Sequence, residues 1–233
     1  LAIVLLHAWR NPAHELALED LARRLGYDQV SVSHRCSPAI RLVGRGDTTV
    51  VDAYLSPILR RYVAQVANGL AGLRQATIRG KPARLRFMQS NGGLAEAGHF
   101  QGKDSILSGP AGGIIGAVVT ARRAGFDRIV TFDMGGTSTD VAHWAGELER
   151  AEETRVAGIR LRVPMLNIHT VAAGGGSVLH YDGLRFRAGP DSAGASPGPA
   201  CYRRGGPLTV TDANVMLGKL RLAFLSRLVG PDG

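Results

Sequence analysis

Residues 129–141 read Ile-Val-Thr-Phe-Asp-Met-Gly-Gly-Thr-Ser-Thr-Asp-Val. An apolar run ends at Asp133, a glycine pair and three hydroxyl residues follow, and Asp140 leads into a second apolar stretch, Val141-Ala142-His143-Trp144. The pattern predicts a strand, a tight turn and a second strand. Gly135 and Gly136 can take positive φ and let the backbone approach a ligand. Their amides, with those of Thr137 and Ser138, form a candidate nest of N–H donors for a phosphate. The hydroxyls of Thr137, Ser138 and Thr139 add donors, and Asp133 at the strand end is a candidate to hold a hydrated Mg²⁺. An ordinary hairpin turn would not need this cluster of hydroxyls, so a phosphate turn is the favoured reading.

A different phosphate motif is excluded. A P-loop needs G-x-x-x-x-G-K-[ST] at the start of a helix. Gly102-Lys103 has Ala97 in place of the first glycine and Asp104 in place of the hydroxyl residue, and Gly218-Lys219 has Ala213 and Leu220.

The rest of the composition sets bounds. At 233 residues the chain can form one large domain or two modest ones. Its 31 glycines cluster at 112–113, 135–136, 174–176 and 205–206, which points to close backbone approach rather than to flexible linker. The net charge of +9 is spread along the chain with no basic block interleaved with aromatics, which argues against nucleic acid. Arg60-Arg61, Arg122-Arg123 and Arg203-Arg204 read as solvated faces or partner contacts. Cys36 and Cys201 have neither disulfide-scaffold nor zinc spacing, and reduced thiols fit a cytoplasmic protein. The apolar opening, Leu1 to Leu6, is too short for a signal peptide or a membrane span. The chain starts with Leu and resembles the inside of an element, so a fragment of a longer protein is expected.

Outward from the hairpin, helices and strands alternate. Residues 13–25 place Leu18, Leu21 and Leu25 at helical spacing, with Glu15, Glu19 and Arg23 as the expected exposed row. Gly26 stops that helix, and residues 30–33 read as a strand. Asp47-Thr48-Thr49 is expected to cap a long helix running to about Leu73 and bent at Pro57. Residues 85–89 read as a strand entering the Ser90-Asn91-Gly92-Gly93 turn. Ser108-Gly109-Pro110-Ala111-Gly112-Gly113 opens a helix to Ala124, and its small residues serve either tight packing or a nucleotide. A strand-like run from Val163 to Val171 precedes Ala173-Gly174-Gly175-Gly176-Ser177. Residues 188–207 are expected to form a loop, and Thr211-Asp212 to cap a helix from Ala213 to Leu225. The class is α/β, with segments 1–127 and 128–233 as the expected division. His169 is a candidate contact for substrate or metal, weighed against a hydrogen-bonded core histidine. Asp140 is either a second carboxylate near the metal or a partner for the hairpin's backbone. Cys201 reads as a structural thiol, because no base can be assigned to it.

Several motifs occur in one order: Met88-Gln-Ser-Asn-Gly-Gly, Ser108-Gly-Pro-Ala-Gly-Gly, Phe132-Asp-Met-Gly-Gly-Thr-Ser-Thr-Asp-Val, Ala173-Gly-Gly-Gly-Ser, Gly198-Pro-Ala-Cys-Tyr and Thr209-Val-Thr-Asp-Ala-Asn. Together they resemble the hydantoinase A / 5-oxoprolinase family, which includes N-methylhydantoinases and acetone-carboxylase β-type subunits. The resemblance covers almost the whole chain. Near residues 41–54 the family's acidic residue before its Thr-Thr-Val segment is replaced here. The resemblance implies the fold of the actin, Hsp70 and sugar-kinase superfamily, with ribonuclease-H-like α/β lobes and ATP in the cleft between them. It also implies ATP- and Mg²⁺-dependent hydrolysis of a cyclic amide such as a hydantoin or 5-oxoproline, through phosphoryl activation of the amide oxygen. Asp133 would then orient Mg²⁺, Gly135, Gly136, Thr137 and Ser138 would hold phosphate, and Gly174, Gly175, Gly176 and Ser177 would meet the nucleotide. A B-type partner subunit, an oligomer and a cytoplasmic location are further implications, with no nucleic acid and no membrane. Family members are several times longer and carry an earlier D-x-G-G-T hairpin, so this chain corresponds to a central segment. The alternative is a truncated, non-catalytic module that binds nucleotide or another subunit.

Overall fold

In the first helix of the chain Glu15 and Glu19 are buried, Arg23 is exposed as expected, and the leucines face solvent. The computed structural model describes residues 1–70, 77–78, 81–82, 84–156 and 158–221. The chain divides into two units: Leu1–Asp127 with Trp144–Asn167, and Arg128–His143 with the residues from Ile168 onward.

In the first unit, β1 (Ala2–Ile3) pairs in parallel with β2 (Ser31–Val32), and α1 (Ala13–Arg24) forms the crossover. Ile3, Ala22, Val30 and Val32 make the core beneath them. Glu15 is fully buried and Glu19 nearly so, whereas Leu18 and Leu21 are 41% and 43% exposed. This reverses the expected face. Glu15 accepts hydrogen bonds from the Leu5 amide at 2.9 Å, the His34 amide at 3.0 Å and the Ser33 hydroxyl, and its other ring-side contact is His34 Nδ1 at 2.7 Å. Glu19 pairs with Arg23 at 2.9 Å and with Arg35. These polar partners hold the carboxylate face against the rest of the unit.

After α2 (Ser33–Cys36) comes α3 (Leu42–Gly69), which begins five residues ahead of Asp47. Asp47 therefore caps nothing. The start is fixed by Arg45, whose buried guanidinium donates to the carbonyls of Ala39 at 2.6 Å and Leu6 at 3.1 Å. Thr48 and Thr49 donate back to the carbonyls of Gly44 and Arg45 inside the helix, instead of capping it. Pro57 lies within α3, as expected. Residues 71–73 of the expected helix lie outside the described residues.

Short antiparallel pairs follow: β3 (Thr77–Ile78) with β4 (Lys81–Pro82), and β5 (Arg86–Met88) with β6 (Leu94–Glu96). The second pair turns through Gly92 at φ +82°, which a side chain rarely adopts. The helix expected after Leu107 is α4 (Ser108–Arg123), with Pro110 in its first turn and Ala111, Ile114 and Val118 buried. The chain then forms β7 (Ile129–Met134) and β8 (Thr139–Trp144) of the second unit and returns to the first. There β9 (Arg150–Ala151), β10 (Thr154–Val156), β11 (Ile159–Leu161) and β12 (Met165–Leu166) make two antiparallel pairs, β10 with β11 and β9 with β12. Leu161, Val163 and Met165 form a second core cluster, with Val51, Ile106, Leu107 and Val156 against it.

The run from 163 to 171 is not one strand. Leu166 and Asn167 donate their amides to Ser90 and Glu149 in the first unit, and β13 (His169–Val171) then joins a different sheet. That sheet has the order β13-β8-β7 and belongs to the second unit. β14 (Ser177–Tyr181) and β15 (Phe186–Ser192) form a hairpin, so the first part of the expected 188–207 loop is strand. The Asp182 carboxylate closes its turn by accepting from the amides of Leu184 and Arg185, both at 3.0 Å. The last helix, α5 (Val210–Met216), starts three residues before Ala213, with Thr209 as cap and Asp212 completing a capping box. It ends before Gly218 at φ +69°, and residues 222–225 lie outside the described residues. The fold class is mixed α/β, as expected.

Candidate phosphate site

The hairpin forms where the two apolar runs and the turn residues between them predict it. Gly135 donates to the Ser138 carbonyl at 2.9 Å and closes the turn between β7 and β8. Neither Gly135 nor Gly136 takes positive φ, contrary to the expectation, so left-handed backbone is not what selects glycine here. Close approach does not select it either, since a Cβ on Gly135 would meet only the Ser138 carbonyl at 3.5 Å and one on Gly136 nothing within 4 Å. The tight positions are in the 173–177 segment, which lies backbone on backbone against the turn. A Cβ on Gly174 would sit 2.7 Å from the Gly136 carbonyl carbon and oxygen, and one on Gly176 would sit 2.8 Å from that oxygen. Gly175 donates to the Gly135 carbonyl at 2.9 Å, and Gly176 donates to the Gly136 carbonyl at 2.7 Å. Thr139 adds a side-chain link, donating to the Ala173 carbonyl at 2.6 Å.

Ser177 is buried and accepts the Gly174 amide at 3.0 Å, so its hydroxyl is engaged within the segment. On the outer side of the turn, the amides of Gly136, Thr137 and Ser138 and the hydroxyls of Thr137 and Ser138 have no partner among the described residues. Gly136 and Thr137 are exposed and Ser138 is half-buried. Asp133 is exposed at the end of β7, and its carboxylate has no partner among the described residues.

The free carboxylate is a hard oxygen ligand of the kind that suits Mg²⁺, an ion that keeps several waters and shares its other positions with phosphate, while the unpaired amides can donate only to an anion. Among the described residues, no group of three or more His, Cys, Asp or Glu side chains forms a cage of protein ligands. Asp140 accepts from the Thr170 hydroxyl at 2.6 Å, a cross-strand bond within the β13–β8 register, so it satisfies a side chain rather than the hairpin's backbone. His169 is exposed opposite Val141, which removes the core-histidine reading. Ser108 to Gly113 belong to the first unit, where Ala111 is fully buried and a Cβ on Gly112 would make ordinary contact with Met88.

The two thiols are not nucleophiles at neutral pH. Burial, then the nearby Asp212 carboxylate, pushes the Cys201 thiol up to about 11. Burial, then Asp52, pushes Cys36 up to about 12. Asp212 itself is lowered: burial pushes it up, but bonds from Cys201 and Thr209 outweigh that.

The sequence reading missed Thr211, whose amide and hydroxyl both donate to the Gly175 carbonyl, at 2.8 and 2.9 Å. Its place beside Asp212 marks a helix start, and nothing local marks a bond to a residue 36 positions away. A cleft of about 460 Å³ in the first unit is lined by Arg23, Arg35, Asp52 and Arg60, among others. A recess of about 540 Å³ in the second is lined by Leu179, Tyr181, Phe186 and Leu208. Neither of these two includes a hairpin residue. Among the described residues, no helix is long and apolar enough to cross a membrane.

The chain is 45% identical to 5-oxoprolinase of Saccharomyces cerevisiae and 45% identical to 5-oxoprolinase 1 of Arabidopsis thaliana, each over its whole length. It spans only 18% of the length of either protein. Caprolactamase subunit alpha of Pseudomonas jessenii is 38% identical over 94% of the chain, which covers 32% of that protein. Two solved structures share the fold at a TM-score of 0.73 over 94% of the chain: nucleotide-free acetone carboxylase at 29% identity and the ATP-dependent caprolactamase at 37%. The chain covers 31% and 32% of those two structures. The model of the hydantoinase/oxoprolinase family matches residues 45–233, and the chain belongs to that family.

Proposed function

We propose that this chain supplies the second phosphate hairpin of an enzyme that uses ATP to hydrolyse a cyclic amide, such as a hydantoin, 5-oxoproline or a lactam. One observation carries the reading: three consecutive unpaired amides, two free hydroxyls and a free carboxylate share one turn, with their opposite side fixed to a glycine run. The names of the relatives, 5-oxoprolinase and caprolactamase, support the substrate class.

A cyclic amide resists hydrolysis because resonance weakens its carbonyl as an electrophile and its nitrogen as a leaving group. Transfer of the γ-phosphoryl group from ATP to the amide oxygen gives ADP and an activated imidate-type phosphate. Water then adds to the carbon, the C–N bond breaks with a proton passing to nitrogen to leave an acyl phosphate, and a second water hydrolyses that to the carboxylate and free phosphate. For the first step the protein contributes positioning and charge stabilisation. In this reading the amides of Gly136, Thr137 and Ser138 hold phosphate oxygens, the Thr137 and Ser138 hydroxyls add donors, and Asp133 orients Mg²⁺ through water. Mg²⁺ neutralises charge on the phosphates when bound. Hydrolysis of the activated amide is assigned to a B-type partner, in keeping with the subunit named among the relatives, in a cytoplasmic oligomer.

The test is Asp133→Ala in the full-length protein. ATP turnover is expected to disappear while the circular-dichroism spectrum is retained. Unchanged turnover would sink the assignment.

A further inference from the structure

Two peptide planes decide where the hairpin's donors point. In a trans peptide, the carbonyl of one residue and the N–H of the next lie on opposite sides. The Gly135 and Gly136 carbonyls both face the glycine run, where they accept from Gly175 and Gly176 at 2.9 and 2.7 Å. Neither following peptide is cis. The N–H groups of Gly136 and Thr137 are therefore both turned away from the run.

The run is itself held from behind. The Gly175 carbonyl takes two bonds from Thr211, one from its amide and one from its hydroxyl. The Gly176 carbonyl takes the Ala193 amide at 2.8 Å. A Cβ on Gly175 would lie 2.6 Å from Thr211 Oγ1, so this contact is also tight.

We propose that residues 174–176, backed by Thr211, are not ligand contacts but a brace that aims the Gly136 and Thr137 amides at phosphate. Thr211 is then a positioning residue for the phosphate turn. The proposal rests on the nucleotide reading above and adds a mechanism to it. Donors fixed before the ligand arrives need no reorganisation when charge develops, and that is where such groups gain their catalytic weight.

The experiment is Thr211→Val in the full-length protein, which removes the hydroxyl bond while keeping volume and the backbone amide. The KM for ATP and the calorimetric Kd for pyrophosphate are both expected to rise about fivefold, the weight of one net hydrogen bond. Inhibition by adenosine, which carries no phosphate, should stay at the wild-type level, and Thr211→Ser should restore the wild-type values. Gly174→Ala, which drives a methyl group into the Gly136 carbonyl, should give a larger loss of pyrophosphate binding wherever it folds. Wild-type pyrophosphate affinity in Thr211→Val overturns the brace, and so does an equal loss of adenosine and pyrophosphate binding. If Asp133→Ala retains ATP turnover, the nucleotide reading falls instead, so the two failures are distinguishable.

Discussion

The Nε of Arg45 donates to the Ser33 hydroxyl at 2.8 Å, and that hydroxyl in turn donates to the Glu15 carboxylate. A cation on α3 and an anion on α1 are thus joined through one buried oxygen, with Arg45 and Glu15 both withdrawn from solvent. The remaining Arg45 donors satisfy carbonyls at Leu5, Leu6, Ala39 and Ile40. Three stretches of chain converge on this side chain.

Replacing that guanidinium should therefore be costly. Arg45→Met keeps a long apolar stem but strips four carbonyls of their donor and leaves Glu15 without its nearby cation. We expect a loss of about 3 kcal/mol or more, in the range for breaking a buried charged network. Urea unfolding followed by circular dichroism measures it, and a loss below ~1 kcal/mol would contradict the clamp role.

Glu15 should make stability depend on acid pH. Burial pushes its carboxyl up, but hydrogen bonds from Ser33, from the His34 amide and ring and from the Leu5 amide outweigh that and hold it below its ordinary value. A carboxyl lowered in the folded state contributes stability that is present above its unfolded pKa, about 4.5, and is lost as pH falls through the lower folded value. Glu19, which burial pushes up but the hydrogen bonds and charges of Arg23 and Arg35 together hold below its ordinary value, acts in the same direction. Urea midpoints between pH 6 and pH 3 should fall in the wild type. In Glu15→Gln the midpoint at pH 6 should be lower and the slope through this window shallower. Parallel profiles would refute the contribution of Glu15.

The reversed face of α1 gives a third expectation. Leu21→Ser should change the stability of this chain by less than about 0.5 kcal/mol, since the side chain is largely in water. Ala22→Leu, one residue on, should cost about 1–3 kcal/mol by overpacking the Ile3, Val30 and Val32 cluster. Thermal unfolding of the two variants separates them, and the opposite order would restore the leucines to the core.

The elements that depend on neighbours in sequence were legible, and those that depend on distant partners were not. The β7–β8 hairpin follows from two apolar runs and the turn residues between them within a dozen positions. The α1 helix was equally plain, yet its buried face was not. Periodicity separates an apolar side from a polar one, but it does not reveal that Ser33, His34 and Arg35 supply partners for the polar side. The start of α3 was misplaced because Asp47-Thr48-Thr49 carries the composition of a cap, while the tie that fixes the helix start is a buried arginine reaching back 40 residues to Leu5. At the candidate site, the turn and the place of Asp133 near a strand end were legible from local sequence. The reading of Gly135 and Gly136 was misjudged, because neither takes positive φ and the close approach that needs glycine falls on Gly174 and Gly176, 38 and more residues away in sequence from the turn.

The contact between Gly135-Gly136 and Gly174-Gly176 is main chain on main chain, so there is no side chain at the seam to shrink or reshape. A Cβ on Gly174 or Gly176 would meet the Gly136 carbonyl with no smaller residue opposite to relieve it, whereas one on Gly135 or Gly136 has room. The constraint is therefore one-sided: a chimera that takes the hairpin from one family member and the glycine run from another should retain the seam wherever the donor of the run keeps glycine at 174 and 176.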